Sequence, residues 1–159
     1  YGANDFWRLF VPLVAGMMAG TFLSGRLAGR LSHAHAVDLG YGLMLLAAAS
    51  SLLLAFTAVS GTLSIIVPGA FYASGMALAM PNLTLMALDI FPTHRGTASA
   101  VQGFGQTSFN AAVAGLLAPL LSRQIPWMAA GMLGMCLSGF VLWRLARRHH
   151  LLPASAEQP

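Results

Sequence analysis

Five long apolar stretches, separated by short turns, constrain this chain more than any other feature. They cover residues 6–27, 39–59, 62–90, 97–121 and 126–145. Each is long enough to cross a bilayer as a helix, which takes about 20 apolar residues. Only 8% of the residues are charged, whereas a soluble domain carries about 25%. The sequence therefore predicts an all-α integral membrane protein, with five transmembrane helices in residues 1–148 and a cytoplasmic tail in residues 149–159.

The arginines predict how this protein is oriented. Because the connections are short, neighbouring helices are expected to run antiparallel, so that the turns alternate between two sides. One side then holds six of the eight basic residues: Arg26, Arg30, Arg95, Arg144, Arg147 and Arg148. The other side holds Arg8 and Arg123. The positive-inside rule places the richer side, and with it the C-terminus, in the cytoplasm. The last three arginines are expected to contact anionic lipid.

A stripe of uncharged polar residues lies on the fourth stretch. Ser99, Gln102, Gln106 and Asn110 recur at helical spacing and share one helix face. Unpaired amides in hydrocarbon cost several kcal/mol, so this stripe is expected to face protein or water. It therefore lines a substrate pathway or bonds to neighbouring helices, and the spacing alone favours neither.

Two polar residues of the third stretch are further candidates. Asn82 follows Pro81, which bends a helix and frees a backbone carbonyl. Its amide either shapes a gate or pocket, or satisfies the freed backbone. Asp89 lies about 40 Å along the helix from Thr62 at 1.5 Å per residue, near the inner surface. We expect it to pair with Arg95 or a neighbouring loop, and proton coupling is the alternative.

Several function classes are disfavoured by what the chain contains. Cys136 is the only cysteine, so a disulfide framework within the chain and a Cys-x-x-Cys metal site are excluded. The five histidines are expected at the inner surface without a carboxylate beside them, so no metal site and no catalytic residue is predicted. No basic patch interleaved with aromatic residues indicates nucleic acid. Small residues at Gly16, Gly20 and Ser24, and at Ala111 and Gly115, predict close helix packing.

Two segments resemble transporters of the major facilitator superfamily. The first is Gly25-Arg26-Leu27-Ala28-Gly29-Arg30, which is similar to the G-x-L-A-D-R loop signature, with Gly29 at the acidic position. The second is Gly96-Thr97-Ala98-Ser99-Ala100-Val101-Gln102-Gly103, preceded by Phe91-Pro92. It resembles the start of the eleventh helix of the drug–proton antiporters, especially the bicyclomycin-resistance (Bcr/CflA) group. The resemblance implies that the five stretches are helices eight to twelve of a twelve-helix fold.

This resemblance implies a function. The chain is expected to be the C-terminal part of a multidrug efflux transporter in a bacterial inner membrane, working by alternating access and driven by the proton gradient without a cofactor. Its expected partners are an amphipathic drug-like substrate, the lipid bilayer and the N-terminal half of the same protein. Pathway candidates are the stripe and Asn82, while Gly25, Arg26, Arg30, Asp89 and Arg95 are candidates for gating at the inner loops. The alternatives are a metabolite or sugar carrier of the same superfamily, or a membrane assembly subunit that transports nothing.

Overall fold

The computed structural model describes residues 6–27, 31–56, 62–121 and 125–149. Helices account for nearly all of these residues, and no strand occurs among them. The all-α class predicted from the sequence is thus confirmed. The helices are α1 (Phe6–Leu27), α2 (His33–Phe56), α3 (Thr62–Asp89), α4 (Arg95–Ala112), a π-helical segment (Val113–Leu117), α5 (Ala118–Leu121) and α6 (Ile125–Arg148).

Helix α2 begins at His33, whereas the apolar stretch predicted a span from about residue 39. Ser32 explains the earlier start, because its side-chain oxygen accepts the His35 N–H at 3.4 Å and its carbonyl accepts the Ala36 N–H at 3.1 Å. A serine in this position satisfies N–H groups that the first helical turn leaves unpaired. The first turns are also packed, since Ala34 and Val37 are fully buried. Hydropathy misses this part of the helix because His33, His35 and Asp38 lie within it.

Helix α3 lies between α1 and α2. A Cβ atom on Gly16 or Gly20 of α1 would overlap the backbone carbonyl of Ala70 or Ser74 of α3. The Ser74 hydroxyl donates to the Gly16 carbonyl oxygen at 2.7 Å. The small residues of α1 therefore allow close backbone approach, as predicted. By contrast, Ala111 and Gly115 are exposed, and nothing lies within 4 Å of a Cβ on Gly115. The packing expected of that second pair is absent from the described part of the chain.

Helix α2 packs against α3 on one side and α6 on the other. A Cβ on Gly75 of α3 would lie 2.6 Å from the Gly40 carbonyl oxygen of α2. Towards α6, the rings of Tyr41 and Phe140 have centroids 5.8 Å apart. A buried cluster joins the three helices through Ala34, Val37, Met86 and Trp143. Four of the described helices thus form a packed row in the order α1, α3, α2, α6.

The contacts between helices also establish their directions. Gly16 faces Ala70 and Gly20 faces Ser74, so α1 and α3 run parallel. In three further helix pairs, residue numbers rise along one helix and fall along the other, so the helices are antiparallel. The contacts are His33–Asn82 and Gly40–Gly75 for α2 and α3, Asp38–Arg147 and Tyr41–Phe140 for α2 and α6, and Arg95–Asp89 and Gln102–Thr84 for α4 and α3. The alternation expected from the short connections is therefore observed. It gathers Arg26, Arg95 and Arg147 at one end of the row.

Three of the described helices are long and apolar enough to cross a membrane: His33–Phe56, Ile66–Asp89 and Pro126–Arg148. The remaining two of the five predicted spans are helical, but their described residues do not meet the same criterion. In α4 the physical reason is composition, since serine, threonine, glutamine and asparagine recur along its length. For α1, the side chains of residues 6, 8, 9 and 27 lie outside the described set.

Candidate functional site

The polar stripe of α4 lies largely on the surface. The side chains of Ser99, Gln106 and Asn110 are exposed. Gln102 is half-buried, and its amide nitrogen donates to the Thr84 hydroxyl of α3 at 3.2 Å. Gln102 therefore bonds to a neighbouring helix, while the side chains of the other three members of the stripe are exposed. The bond of Gln102 fits the packing role that the spacing left open, while the pathway role of the stripe stays a prediction.

The exposure of the stripe is a property of the whole helix. None of the α4 residues, all of which the structure describes, is buried. Apolar side chains around the helix are also open: Phe104 is 75% exposed, Val101 67% and Phe109 63%. Large apolar side chains left open in this way mark a surface that meets lipid or protein. Exposure alone therefore does not distinguish a pathway face from a packing face on this helix.

Asn82 lies inside the packed row. It is 8% exposed, and its amide nitrogen donates to the Leu78 carbonyl oxygen at 2.8 Å. Its amide oxygen lies 2.7 Å from Nδ1 of His33. An amide oxygen only accepts, so His33 must carry its proton on Nδ1. Asn82 thus bridges α3 to α2 beside Pro81, through which α3 continues without a break.

The inner-loop candidates fall into two groups. Asp89 and Arg95 are brought together, with Oδ1 and Nη2 2.8 Å apart across the turn between α3 and α4. The turn is held by two further bonds, from the Phe91 N–H to Leu88 and from the His94 N–H to Phe91. Gly25 is exposed, and a Cβ on it would meet no described atom within 4 Å beyond its chain neighbours and its own helix backbone. Arg26 lies over the Phe22 ring of its own helix at 4.7 Å. Arg30 lies outside the described residues.

A second carboxylate with described partners, that of Asp38, is one that the sequence patterns did not indicate. Asp38 of α2 accepts the Trp143 indole N–H through Oδ1 at 2.8 Å, and its Oδ2 pairs with Arg147. Trp143 and Arg147 are one turn apart on α6 and therefore share a face. Arg147 thus has a protein partner that the sequence analysis did not assign to it, and the expected contact of the last three arginines with anionic lipid stays a prediction. The whole chain has only four acidic residues. An acid inside one of its apolar helices is therefore expected to have a partner, and this was the signal in the sequence that could have indicated Asp38.

Among the described residues, no group of three or more His, Cys, Asp or Glu side chains is arranged to hold a metal ion. Buried side-chain polar atoms in that same set all have hydrogen-bond partners. Comparison with known proteins adds no relative: no family model, no curated protein and no solved structure matches this chain. The function must therefore be argued from the site itself.

Proposed function

We propose that this chain is the C-terminal part of a proton-coupled multidrug efflux transporter of the major facilitator type, with five helices spanning a bacterial inner membrane and the C-terminus in the cytoplasm. The observation that carries the proposal is α4, a helix without a buried residue whose uncharged polar stripe is largely exposed, beside a row of tightly packed apolar helices. Such a helix is suited to the boundary between two halves of a transporter, where one face meets substrate and another meets protein.

The chemistry of the stripe supports an amphipathic substrate. Ser99, Gln106 and Asn110 offer hydrogen-bond donors and acceptors but no charge, and the open apolar side chains of α4 add hydrophobic contact. Sites lined mainly by apolar groups with a few polar groups hold ligands by shape and weak contacts. Alternating access then requires one bundle to rock against the other around this surface. Asn82, which is bonded within the row, and Gln102, which bonds α4 to the row, support the pathway without lining it.

The decisive experiment expresses the full-length gene that encodes this chain in a bacterium deprived of its own efflux pumps. Resistance to a panel of amphipathic toxic compounds is measured for the wild type, Gln106→Leu and Ser99→Ala. The matched control is Ser108→Ala, because Ser108 is also exposed but lies about two and a half turns beyond Ser99 and so on the opposite face. Membrane levels of all variants are compared by immunoblotting.

The proposal expects resistance in the wild type, a loss with Gln106→Leu, a smaller loss with Ser99→Ala and no change with Ser108→Ala. Dissipation of the proton gradient should abolish the resistance. Resistance that is indifferent to Gln106 and Ser99 would assign the stripe to packing and overturn its role in the pathway. Absence of resistance to every compound would overturn drug efflux and favour a metabolite carrier or an assembly subunit.

A further inference from the structure

A groove lies in the corner between the end of α3 and the start of α4. Its volume is about 370 Å³, which is within the range of about 300–1,000 Å³ typical of ligand sites. The walls are mainly apolar and include Ala87 of α3, Phe91 of the turn, and Ala98 and Val101 of α4. His94 and Thr97 bring polar groups to it. The groove lies beside the Asp89–Arg95 ion pair and the Gln102–Thr84 hydrogen bond, which connect α4 to α3.

Arg95 directly follows His94, which lines this groove, and it brings an exposed cation close to it. The Arg95 side chain is 60% exposed, and its guanidinium has five N–H donors, of which one on Nη2 bonds to Asp89. Asp89 offsets part of this charge, but further cations lie at the same end of the row. Arg26 and Arg148 are exposed there, and Arg144 lies over the Phe140 ring at 5.1 Å. An apolar cleft with an accessible guanidinium next to it complements a ligand that has an apolar chain and an anionic head.

We propose that this groove binds an anionic phospholipid, with one acyl chain lying against Ala98 and Val101 and the phosphate bonded to Arg95. A phospholipid is favoured as the occupant because the groove borders α3, a helix apolar enough to span the membrane, so that lipid is the ligand at highest local concentration. The arginine excess at this end of the row attracts anionic headgroups. This inference requires only that the chain lies in a membrane and does not depend on drug transport.

The test uses the purified full-length protein in nanodiscs that contain phosphatidylglycerol with a photoactivatable group on one acyl chain. After irradiation, labelled peptides are identified by mass spectrometry, and a parallel sample carries phosphatidylcholine with the same chain. Ala98→Phe fills the groove, and Ala100→Phe adds the same bulk on a face away from it. Arg95→Gln removes the charge, Arg95→Lys keeps it, and Arg148→Gln removes an exposed cation from another helix.

The proposal expects phosphatidylglycerol to label residues 87–102 more strongly than phosphatidylcholine does. Ala98→Phe should abolish that label, and Ala100→Phe should leave it intact. Arg95→Gln should weaken it about fivefold, since a basic residue near the membrane surface contributes about 1 kcal/mol to the binding of anionic lipid, and Arg95→Lys should largely restore it. Arg148→Gln should have little effect.

Three results would overturn the proposal. The first is labelling of residues 87–102 that Ala98→Phe does not reduce, which would place the lipid outside the groove. The second is equal labelling by phosphatidylcholine and phosphatidylglycerol, which would remove the role of Arg95. The third is labelling that falls when a drug-like compound is added but does not fall when unlabelled phosphatidylglycerol is added. This result would make the groove part of the transport pathway. Thermal unfolding and gel filtration of each variant confirm that the protein remains folded.

Discussion

Helices α3 and α4 follow one another in the chain, yet their surroundings are opposite. Helix α3 is held between α1 and α2, and Leu78, Ala79 and Met86 are buried along it. Helix α4 has no buried residue although all of it is described, and two side-chain bonds tie it to α3. Regular backbone geometry is common to both helices. Helical backbone geometry therefore does not by itself bury a helix in this chain, and burial depends on how closely the side chains of each face let a neighbouring helix approach.

The two helices use glycine differently, which explains much of that contrast. On α3, Gly75 lets the α2 backbone approach so closely that no Cβ would fit. On α4, a Cβ added to Gly96, Gly103 or Gly105 would have nothing within 4 Å of it. Without a partner, a glycine inside a helix costs stability, about 0.8–1.0 kcal/mol relative to alanine. The glycines of α4 therefore contribute nothing to the described packing.

The largest expected effect is that of a single methyl group at the α2–α3 contact. Gly75→Ala places a Cβ 2.6 Å from the Gly40 carbonyl oxygen and 2.8 Å from Cγ of Met44, so the helices must separate. We expect the free energy of unfolding to fall by about 2–3 kcal/mol. The control, Gly103→Ala on α4, should leave stability unchanged or raise it by up to about 1 kcal/mol. Denaturant titration in detergent micelles measures both, and equal effects would contradict the contrast between α3 and α4.

The second effect concerns the two ion pairs. The Asp38 and Arg147 side chains are only about a quarter exposed, whereas Arg95 is 60% exposed in its pair with Asp89. Asp38→Asn should therefore lower the free energy of unfolding by about 2 kcal/mol, because Arg147 loses its partner in a partly desolvated site. Asp89→Asn should lower it by less than about 1 kcal/mol.

A double-mutant cycle of Asp38→Leu and Arg147→Met separates the pair from other effects of each change. A coupling energy near zero between Asp38 and Arg147 would show that the α2–α6 contact rests on the apolar cluster alone. The same titration in high salt should weaken the exposed Asp89–Arg95 pair more than the partly buried pair.

Asn82 and Asn110 provide a third comparison of buried and exposed amides. Asn82→Leu should lower the free energy of unfolding by about 1–2 kcal/mol, because it leaves the His33 N–H without its described acceptor. Asn110→Leu should change it by less than about 0.5 kcal/mol, since that side chain is exposed. A large loss of stability with Asn110→Leu would contradict this comparison and indicate that the Asn110 side chain is covered in the folded protein.

Among the contacts between uncharged side chains, the smallest expected effect is at the bond between Gln102 of α4 and Thr84 of α3. Thr84→Val removes the hydrogen-bond acceptor of Gln102 with little change in side-chain shape. It should lower the free energy of unfolding by about 0.5–1.5 kcal/mol. Its more informative consequence is local. A spin label on α4 should become more mobile in Thr84→Val, whereas a label on α2 should not. If both labels respond equally, α4 is held by more than this contact.

The candidate site illustrates how far sequence reasoning reaches. The helical period brought Ser99, Gln102, Gln106 and Asn110 to one face, because residues three or four apart on a helix are neighbours. It did not predict that Gln102 would bond to Thr84, since that bond depends on how α3 and α4 cross. Nor did hydropathy indicate Asp38, because a window average treats an acid near a helix start as the edge of a span. Only tertiary contact reveals that Asp38 holds α6.

What the sequence alone determined is the all-helical class, the approximate extent of the helices, their alternating direction and the small-residue contact of α1. These follow from local terms: the length of apolar stretches, the shortness of connections and the absence of a Cβ on glycine. The tertiary structure decided the row α1–α3–α2–α6, the exposure of α4, the burial of Asn82 and the partners of Asp38. These depend on pairs of residues far apart in the chain, whose contact energies no local pattern contains.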